Sequence, residues 1–68
     1  MKKIEFKITR ESGNQYSWIN QNIEKTATGT VAEDGETCIV VFAENPDLNI
    51  LDESMDFGSV FLSEVEVL

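Results

Sequence analysis

Acidic residues without neighbouring cations are the feature of this chain most able to do chemistry. Residues 26–68 contain ten acids and no lysine or arginine, whereas all five basic residues lie within the first 25 positions. The formal charge of −8 therefore divides into about +2 for residues 1–25 and about −10 for the remainder. Carboxylates in such numbers could bind a cationic partner, hold a hard metal ion or act as an acid–base pair.

A basic protein surface is the partner that this distribution of charge favours. Exposed acids three or four residues apart on a helix lie about 5–6 Å from one another, close to the phosphate spacing along one nucleic acid strand. The candidate partner-binding residues are the acids of a predicted hairpin tip and a predicted helix, namely Glu33, Asp34, Glu36, Glu44, Asp47, Asp52, Glu53 and Asp56. The simpler interpretation is that these charges only keep a small domain soluble.

We therefore predict a non-enzymatic, acidic protein-binding module. Its most concrete form is an inhibitor that imitates nucleic acid and occupies the nucleic-acid-binding site of its target, by analogy of size and charge with phage anti-CRISPR and anti-restriction proteins. Direct binding to nucleic acid is not expected, because the net charge repels phosphates. The alternative is a structural or adaptor protein that self-associates, for example as a homodimer, or docks into a larger assembly through an edge strand such as residues 59–68. A regulator that binds a small ligand or metal is a further rival.

Metal, cofactor and catalytic chemistry have weaker support. Residues 52–58 are a near miss to a calcium loop, because the glycine comes one place late and Glu64 lies beyond the last ligand position. The chain has no histidine, and Cys38 lies in an apolar run without a nearby cation, which is typical of a buried side chain. A chain of 68 residues also leaves little room for a ligand pocket. No cofactor, metal site or enzymatic activity is predicted.

Length and composition indicate a single folded domain spanning residues 1–68. Apolar residues make up 41% of the chain, which is enough for a small core. The basic N-terminus is not followed by the apolar stretch of a signal peptide, and no run approaches the roughly 20 apolar residues of a membrane span. With a single cysteine, these features favour a cytoplasmic setting and no membrane association.

The N-terminal half is expected to form strands. Residues 3–9 alternate between apolar and polar side chains, which predicts a strand with one buried face. For residues 15–25 a strand that pairs with the first is preferred over a short helix capped by Ser17. In that stretch Trp18 is assigned to the core and, alternatively, with Tyr16 to a partner contact. A hairpin follows with Asp34 and Gly35 as its two-residue turn, and it places Val31 opposite Cys38.

The second strand of that hairpin, residues 38–42, is continuously apolar. It is therefore expected to be central in the sheet and covered on both faces. Gly29, in the first strand of the hairpin, is expected to leave space for an aromatic ring.

The C-terminal half is expected to contain one helix and a last strand. Asn45 has the position of an N-cap, Pro46 that of the first helical residue, and Gly58 that of the end. Between them, apolar residues recur at helical spacing. The sum is an α+β domain of order β-β-β-β-α-β, a small five-stranded, mostly antiparallel sheet or barrel with one short helix. Lysines on the first strand and Glu64 and Glu66 on the last predict that these two strands are neighbours.

Overall fold

One antiparallel sheet of five strands forms the fold. A computed structural model describes residues 2–11, 13, 17–50 and 52–68. The strands are β1 (Lys3–Lys7), β2 (Thr26–Val31), β3 (Thr37–Val41), β4 (Phe57–Phe61) and β5 (Glu66–Val67), in the spatial order β4-β3-β2-β1-β5. In the described ranges the helical elements are short 3₁₀ turns at Trp18–Gln21, Phe42–Glu44 and Leu62–Glu64. The predicted five-stranded antiparallel sheet is confirmed, but no α-helix accompanies it there, so the fold is mostly β.

Strand β1 lies between the second and the last strands. It pairs with β2, which brings Phe6 opposite Ala27, and with β5, which brings Phe6 opposite Val67 and Lys7 opposite Glu66. Phe6 is fully buried, as the alternation of apolar residues in this strand requires. The prediction that the first and last strands are neighbours is confirmed.

The hairpin of β2 and β3 has the predicted register but a different turn. Val31 lies opposite Cys38, as expected. The turn, however, is a four-residue loop closed by the Ala32 N–H, which donates to the Thr37 carbonyl at 2.7 Å. Within it the Gly35 N–H donates to the Ala32 carbonyl at 3.0 Å, and Gly35 has a φ of +72°. The prediction of a two-residue turn is therefore wrong. A β-turn that ends in a left-handed glycine allows the Asp34 side chain to bind the backbone N–H groups that follow the glycine.

The segment before β2 is a turn rather than a strand. Ser17 Oγ accepts a hydrogen bond from the Ile19 N–H at 3.2 Å and caps the 3₁₀ turn Trp18–Gln21. The preference for a strand over residues 15–25 is therefore wrong for its described part, although the Ser17 cap of the alternative is present. The physical reason is that β2 already occupies the edge of β1 that this strand would have used.

The predicted helix after Asn45 is absent from the described residues. Instead of capping a helix, the buried Asn45 side chain bonds the backbone of β2. Its Oδ1 accepts from the Thr28 N–H at 2.8 Å, and its Nδ2 donates to the carbonyls of Thr28 at 3.1 Å and Val41 at 2.9 Å. Among the described apolar residues of this loop only Leu48, 8% exposed, is buried, so a helix here would have little tertiary packing to stabilise it. Leu51, part of the predicted apolar stripe, lies outside the described residues.

Two glycines make room for the core, but not in the way the sequence suggested. A Cβ added at Gly58 would lie 2.4 Å from Trp18 Nε1 and 2.9 Å from Phe42 Cζ. Trp18 and Phe42 pack edge to face with ring centroids 5.1 Å apart, so the residue expected to end a helix instead lies in β4 against this aromatic pair. A Cβ at Gly29 would lie 2.4 Å from the Cys38 sulfur, so this glycine makes space for a thiol and not for a ring.

Strand β3 is central in pairing but not covered on both faces. It lies between β2 and β4, and Cys38 and Val40 are fully buried. Val41, on the opposite face, is 40% exposed. The expectation of a strand buried on both sides is therefore wrong for its outer face, because no helix covers that face in the described part of the chain.

The link from β4 to β5 requires the sheet to curl. The predicted continuous strand over residues 59–68 is interrupted by the 3₁₀ turn Leu62–Glu64. This short link joins strands at opposite edges, four spacings of about 4.8 Å apart, or roughly 19 Å if the sheet were flat. Because a 3₁₀ turn advances only about 2 Å per residue, the two edges must approach one another across a curved, open sheet.

Candidate partner-binding surface

The predicted partner-binding residues lie in two exposed segments of the fold. The tip acids, at the β2–β3 turn, are Glu33, Asp34 and Glu36; the loop acids, in the connection from β3 to β4, are Asp47, Asp52, Glu53 and Asp56. All of them are exposed. The loop acids do not form the predicted row, since the helix that would align Asp52 with Asp56 is absent from the described residues.

Glu44, the remaining candidate, is already paired with a cation. Lys3 Nζ lies 3.2 Å from Glu44 Oε1, and Lys7 Nζ lies 3.1 Å from Glu24 Oε2. These exposed ion pairs contribute only about 0–1 kcal/mol each to stability. They nevertheless show that the lysines of β1 neutralise Glu44 and Glu24. Lys7 stands opposite Glu66 in the ladder, but its ammonium contacts Glu24.

Among the described residues, Arg10 and Lys25 bind backbone carbonyls and not carboxylates. Arg10 Nη2 donates to the Ser63 carbonyl at 3.0 Å, and Lys25 Nζ donates to the Asp47 carbonyl at 2.9 Å. Within the described part of the chain, no lysine or arginine pairs with a carboxylate of the tip acids or the loop acids. Those carboxylates are therefore not compensated by salt bridges of the chain's own.

Asp34 is held by the turn that it caps. Its Oδ1 accepts from the N–H groups of Glu36 at 2.8 Å and Thr37 at 2.9 Å, and its Oδ2 accepts from the Thr37 hydroxyl at 2.8 Å. The backbone N–H groups of Glu36 and Thr37, together with that hydroxyl, lower the pKa of Asp34. Asp34 is therefore an anion with fixed geometry, while its neighbours at the tip keep their side chains free of such bonds.

Asp52 makes a smaller version of the same arrangement. Its Oδ1 accepts from the Ser54 N–H at 2.9 Å and from the Ser54 hydroxyl at 2.8 Å. The Ser54 N–H and then its hydroxyl lower the pKa of Asp52. This local turn uses a carboxylate that the calcium-loop comparison would have assigned to a metal, and the described residues contain no group of three or more ligating side chains suited to an ion.

The other residues singled out from the sequence are core residues or lie outside the part of the chain that the structure describes. Trp18 is 5% exposed, which confirms its assignment to the core. Cys38 is fully buried, and this burial raises the pKa of its thiol, so it lacks the features of a nucleophile. Tyr16 lies outside the described residues.

An exposed aromatic pair on β4 is the feature that the sequence analysis missed. Phe57 is 62% exposed and Phe61 is 58% exposed, far more than the other described aromatic side chains. The signal was the alternation of Phe57, Ser59 and Phe61, which predicts one shared strand face. It was overlooked because Phe57 and Gly58 were assigned to the end of a helix.

Comparisons with known proteins add no family. No protein-family model matches the chain, and no curated protein or solved structure matches it either. Among the described residues, no helix has both the length and the apolar character needed to cross a membrane.

Proposed function

We propose that this protein is a non-enzymatic, acidic module that binds a protein with a basic surface. Its most concrete form is an inhibitor that occupies the nucleic-acid-binding site of its target, and residues 1–68 act as one small domain. The observation that carries this proposal is the segregation of charge, with ten acids and no cation in residues 26–68. The contacts of Lys3, Lys7, Arg10 and Lys25 support it, because none of them neutralises the tip acids or the loop acids within the described chain.

Long-range attraction is what such a surface supplies. Uncompensated carboxylates on a small domain raise the rate at which a basic partner is encountered, and that attraction weakens as salt screens it. The predicted helical row of acids is absent from the described residues. The proposal rests instead on exposed carboxylates held on a turn and a loop, which could meet the lysines and arginines that a nucleic-acid-binding groove presents.

A structural or adaptor role is the second candidate, and the exposed edge strand β4 favours it. Such a protein would self-associate, for example as a homodimer, or dock through a strand edge. Contacts of this kind are apolar and persist at high salt. A contact made only by the acidic surface would weaken steeply under the same conditions.

The decisive experiment is capture from a lysate with matched charge variants. Glu33→Lys combined with Glu53→Lys changes one tip acid and one loop acid, neither of which makes a side-chain hydrogen bond in the described structure. Glu64→Lys combined with Glu66→Lys changes the charge equally, but at the link to β5. We expect the first variant to lose nucleic-acid-binding proteins that the wild type retains, while the second keeps them.

Displacement with short duplex DNA and RNA completes the experiment. A target held at its nucleic-acid-binding site should be released by the nucleic acid it normally binds. Equal retention by both charge variants, with near-native circular dichroism, would contradict a specific acidic surface. Retention that resists both salt and nucleic acid would favour the adaptor role.

A further inference from the structure

Strand β4 has an edge that carries free backbone groups in the described structure. The Phe42 N–H donates to the Asp56 carbonyl at 3.1 Å, and the Leu62 N–H donates to the Glu36 carbonyl at 2.8 Å. Bonded pairs alternate along an antiparallel ladder, so the even-numbered residues of β4 direct their backbone groups toward β3. The N–H and C=O groups of Phe57, Ser59 and Phe61 therefore point away from the sheet, and no described residue bonds them.

Two of the residues whose backbone groups point outward, Phe57 and Phe61, also carry the exposed aromatic rings. Val41 lies opposite Phe57, and Ile39 lies opposite Ser59, so apolar side chains of β3 share the outer face with the two rings. Phe57, Phe61 and Val41 are 62%, 58% and 40% exposed. A strand added along β4 would thus bond to the backbone and place alternate side chains against these rings.

Acids flank this edge at both ends. Asp56 immediately precedes Phe57 and belongs to the loop acids. At the other end, the bond from Leu62 to the Glu36 carbonyl places the tip of the β2–β3 turn beside the end of β4. Arg10, which donates to the Ser63 carbonyl, also lies near that end, but the three tip acids outnumber it. The edge is therefore apolar in its middle and net negative at its ends, and its complement is apolar in its middle and positive at its ends.

A second copy of this chain fits that pattern poorly. Each copy has a formal charge of −8, and both ends of β4 are acidic, so either orientation of two β4 strands brings acids against acids. Like charges placed across from each other oppose strand pairing.

We propose that the edge of β4 accepts an extended segment of a partner protein with alternating apolar residues and lysine or arginine at each end. The segment adds as a sixth strand, and its apolar side chains contact Phe57 and Phe61. Its basic ends meet the tip acids and the loop acids. The inference rests on the proposed function for the basic ends of the segment. It adds the edge of β4 and the two aromatic rings as the binding site of the partner.

A labelled synthetic peptide tests this directly by fluorescence anisotropy. The probe is acetylated and amidated, with Lys-Arg at each end of a Val-Thr-Val-Thr-Val centre; a second peptide has glutamates at its ends. Two further peptides carry N-methyl groups on one or the other alternate set of central backbone nitrogens. We expect the basic probe to bind and the glutamate peptide not to bind. One methylated set should abolish binding while the other preserves it, since only one set faces β4.

Matched variants assign the contact on the protein. Phe57→Ser combined with Phe61→Ser should weaken probe binding by about 10-fold or more, because buried aromatic contacts dominate such interfaces. Leu68→Ser removes an apolar side chain of equal exposure, 62%, from a residue that follows β5 and donates its N–H to the Glu5 carbonyl of β1, and it should leave binding unchanged. Glu36→Lys with Asp56→Lys should weaken binding strongly at low salt.

The outcomes separate the inference from the proposed function. Loss of binding in the charge variant but not in the Phe57 and Phe61 variant would overturn the binding site at the edge of β4 and leave the basic-partner function intact. Loss in the aromatic variant alone, with no effect of charge or salt, would overturn the basic-partner function and the basic ends together. Absence of probe binding to the folded wild type would overturn the inference. So would a wild-type dimer in sedimentation that the aromatic variant converts to monomer, since the edge would then be occupied by a second copy.

Discussion

Replacing Asn45 by alanine should cost this domain a large part of its stability. The Asn45 side chain lies at the point where β3 leaves β2, and it is 9% exposed. It accepts from the Thr28 N–H and donates to the Thr28 and Val41 carbonyls, so one amide replaces the strand that β2 would otherwise pair with. Alanine would leave all three backbone groups without a protein partner.

The size of the effect follows from those three bonds. At about 1 kcal/mol net for each, the free energy of unfolding should fall by about 3 kcal/mol. A domain of this length is expected to have only about 3–10 kcal/mol in total. With a urea m-value of about 1 kcal/mol/M for so small a chain, the midpoint should fall by about 3 M.

Urea unfolding followed by fluorescence of the single tryptophan measures this change. Trp18 is buried against Phe42, so its emission reports on the core directly. Asn49→Ala is the matched control, because Asn49 is exposed and is held by Asn22 through its backbone alone. Asn45→Asp keeps the shape of the side chain but turns a carboxylate toward two carbonyls, and it should be as damaging as alanine. A loss below about 0.5 kcal/mol for Asn45→Ala, or an equal loss for Asn49→Ala, would refute the reasoning.

Three further predictions follow from other contacts. Gly58→Ala should lower the free energy of unfolding by about 2 kcal/mol because its Cβ would clash with the Trp18 ring, whereas Gly13→Ala, with no described atom within 4 Å of the added Cβ, should be nearly neutral in the same titration. The depressed pKa of Asp34 contributes stability that is complete above its ordinary pKa and is lost as the pH falls through the lower folded value, so Asp34→Asn should flatten acid unfolding monitored by circular dichroism. The Cys38 thiol, buried and with a raised pKa, should react with a disulfide reagent far more slowly in the native protein than in denaturant, and equal rates would show that the core is open.

Local alternation and turn chemistry predicted the parts of the sheet that depend on neighbours in sequence. The period-2 pattern around Phe6 identified β1 and its buried face. Asp34 and Gly35 identified the hairpin, and the register of Val31 with Cys38 followed even though the turn type did not. Pairing of the first and last strands was predicted from charge, and the ladder is present, although the Lys7 ammonium contacts Glu24 instead.

The predicted helix failed because tertiary contacts use its start signals for another purpose. Asn45 followed by Pro46 is a sound helix start, but the same asparagine satisfies the edge of β2. Asn22 likewise donates to the Asn49 carbonyl at 2.7 Å and accepts from its N–H at 2.7 Å, which ties this loop to the turn that contains Trp18. Side-chain bonds between segments 17 to 27 residues apart leave no local pattern, so the sequence could not distinguish a cap from a cross-link.

The candidate site was likewise predictable only in part, where it depends on composition and not on the fold. The excess of acids is a property of composition, and the sequence identified it fully. Which acids are neutralised is a property of the fold. Glu44 was assigned to the partner-binding surface, although Lys3 pairs with it. The exposed rings of Phe57 and Phe61 were missed because their shared face exists only once residues 57–61 are recognised as a strand.

The proposed arrangement links the acidity of the chain to the unprotected edge of β4. A free apolar strand edge normally invites pairing between copies, and proteins prevent this with charged or proline residues in the strand. β4 contains neither, and its Gly58 must stay small because the Trp18 ring lies against it. Under the proposed arrangement the protection is electrostatic, since acids at both ends of β4 repel a second copy with the same charge of −8. In the same proposed arrangement those acids would attract an extended basic segment, so the charge that opposes self-pairing would also select the partner.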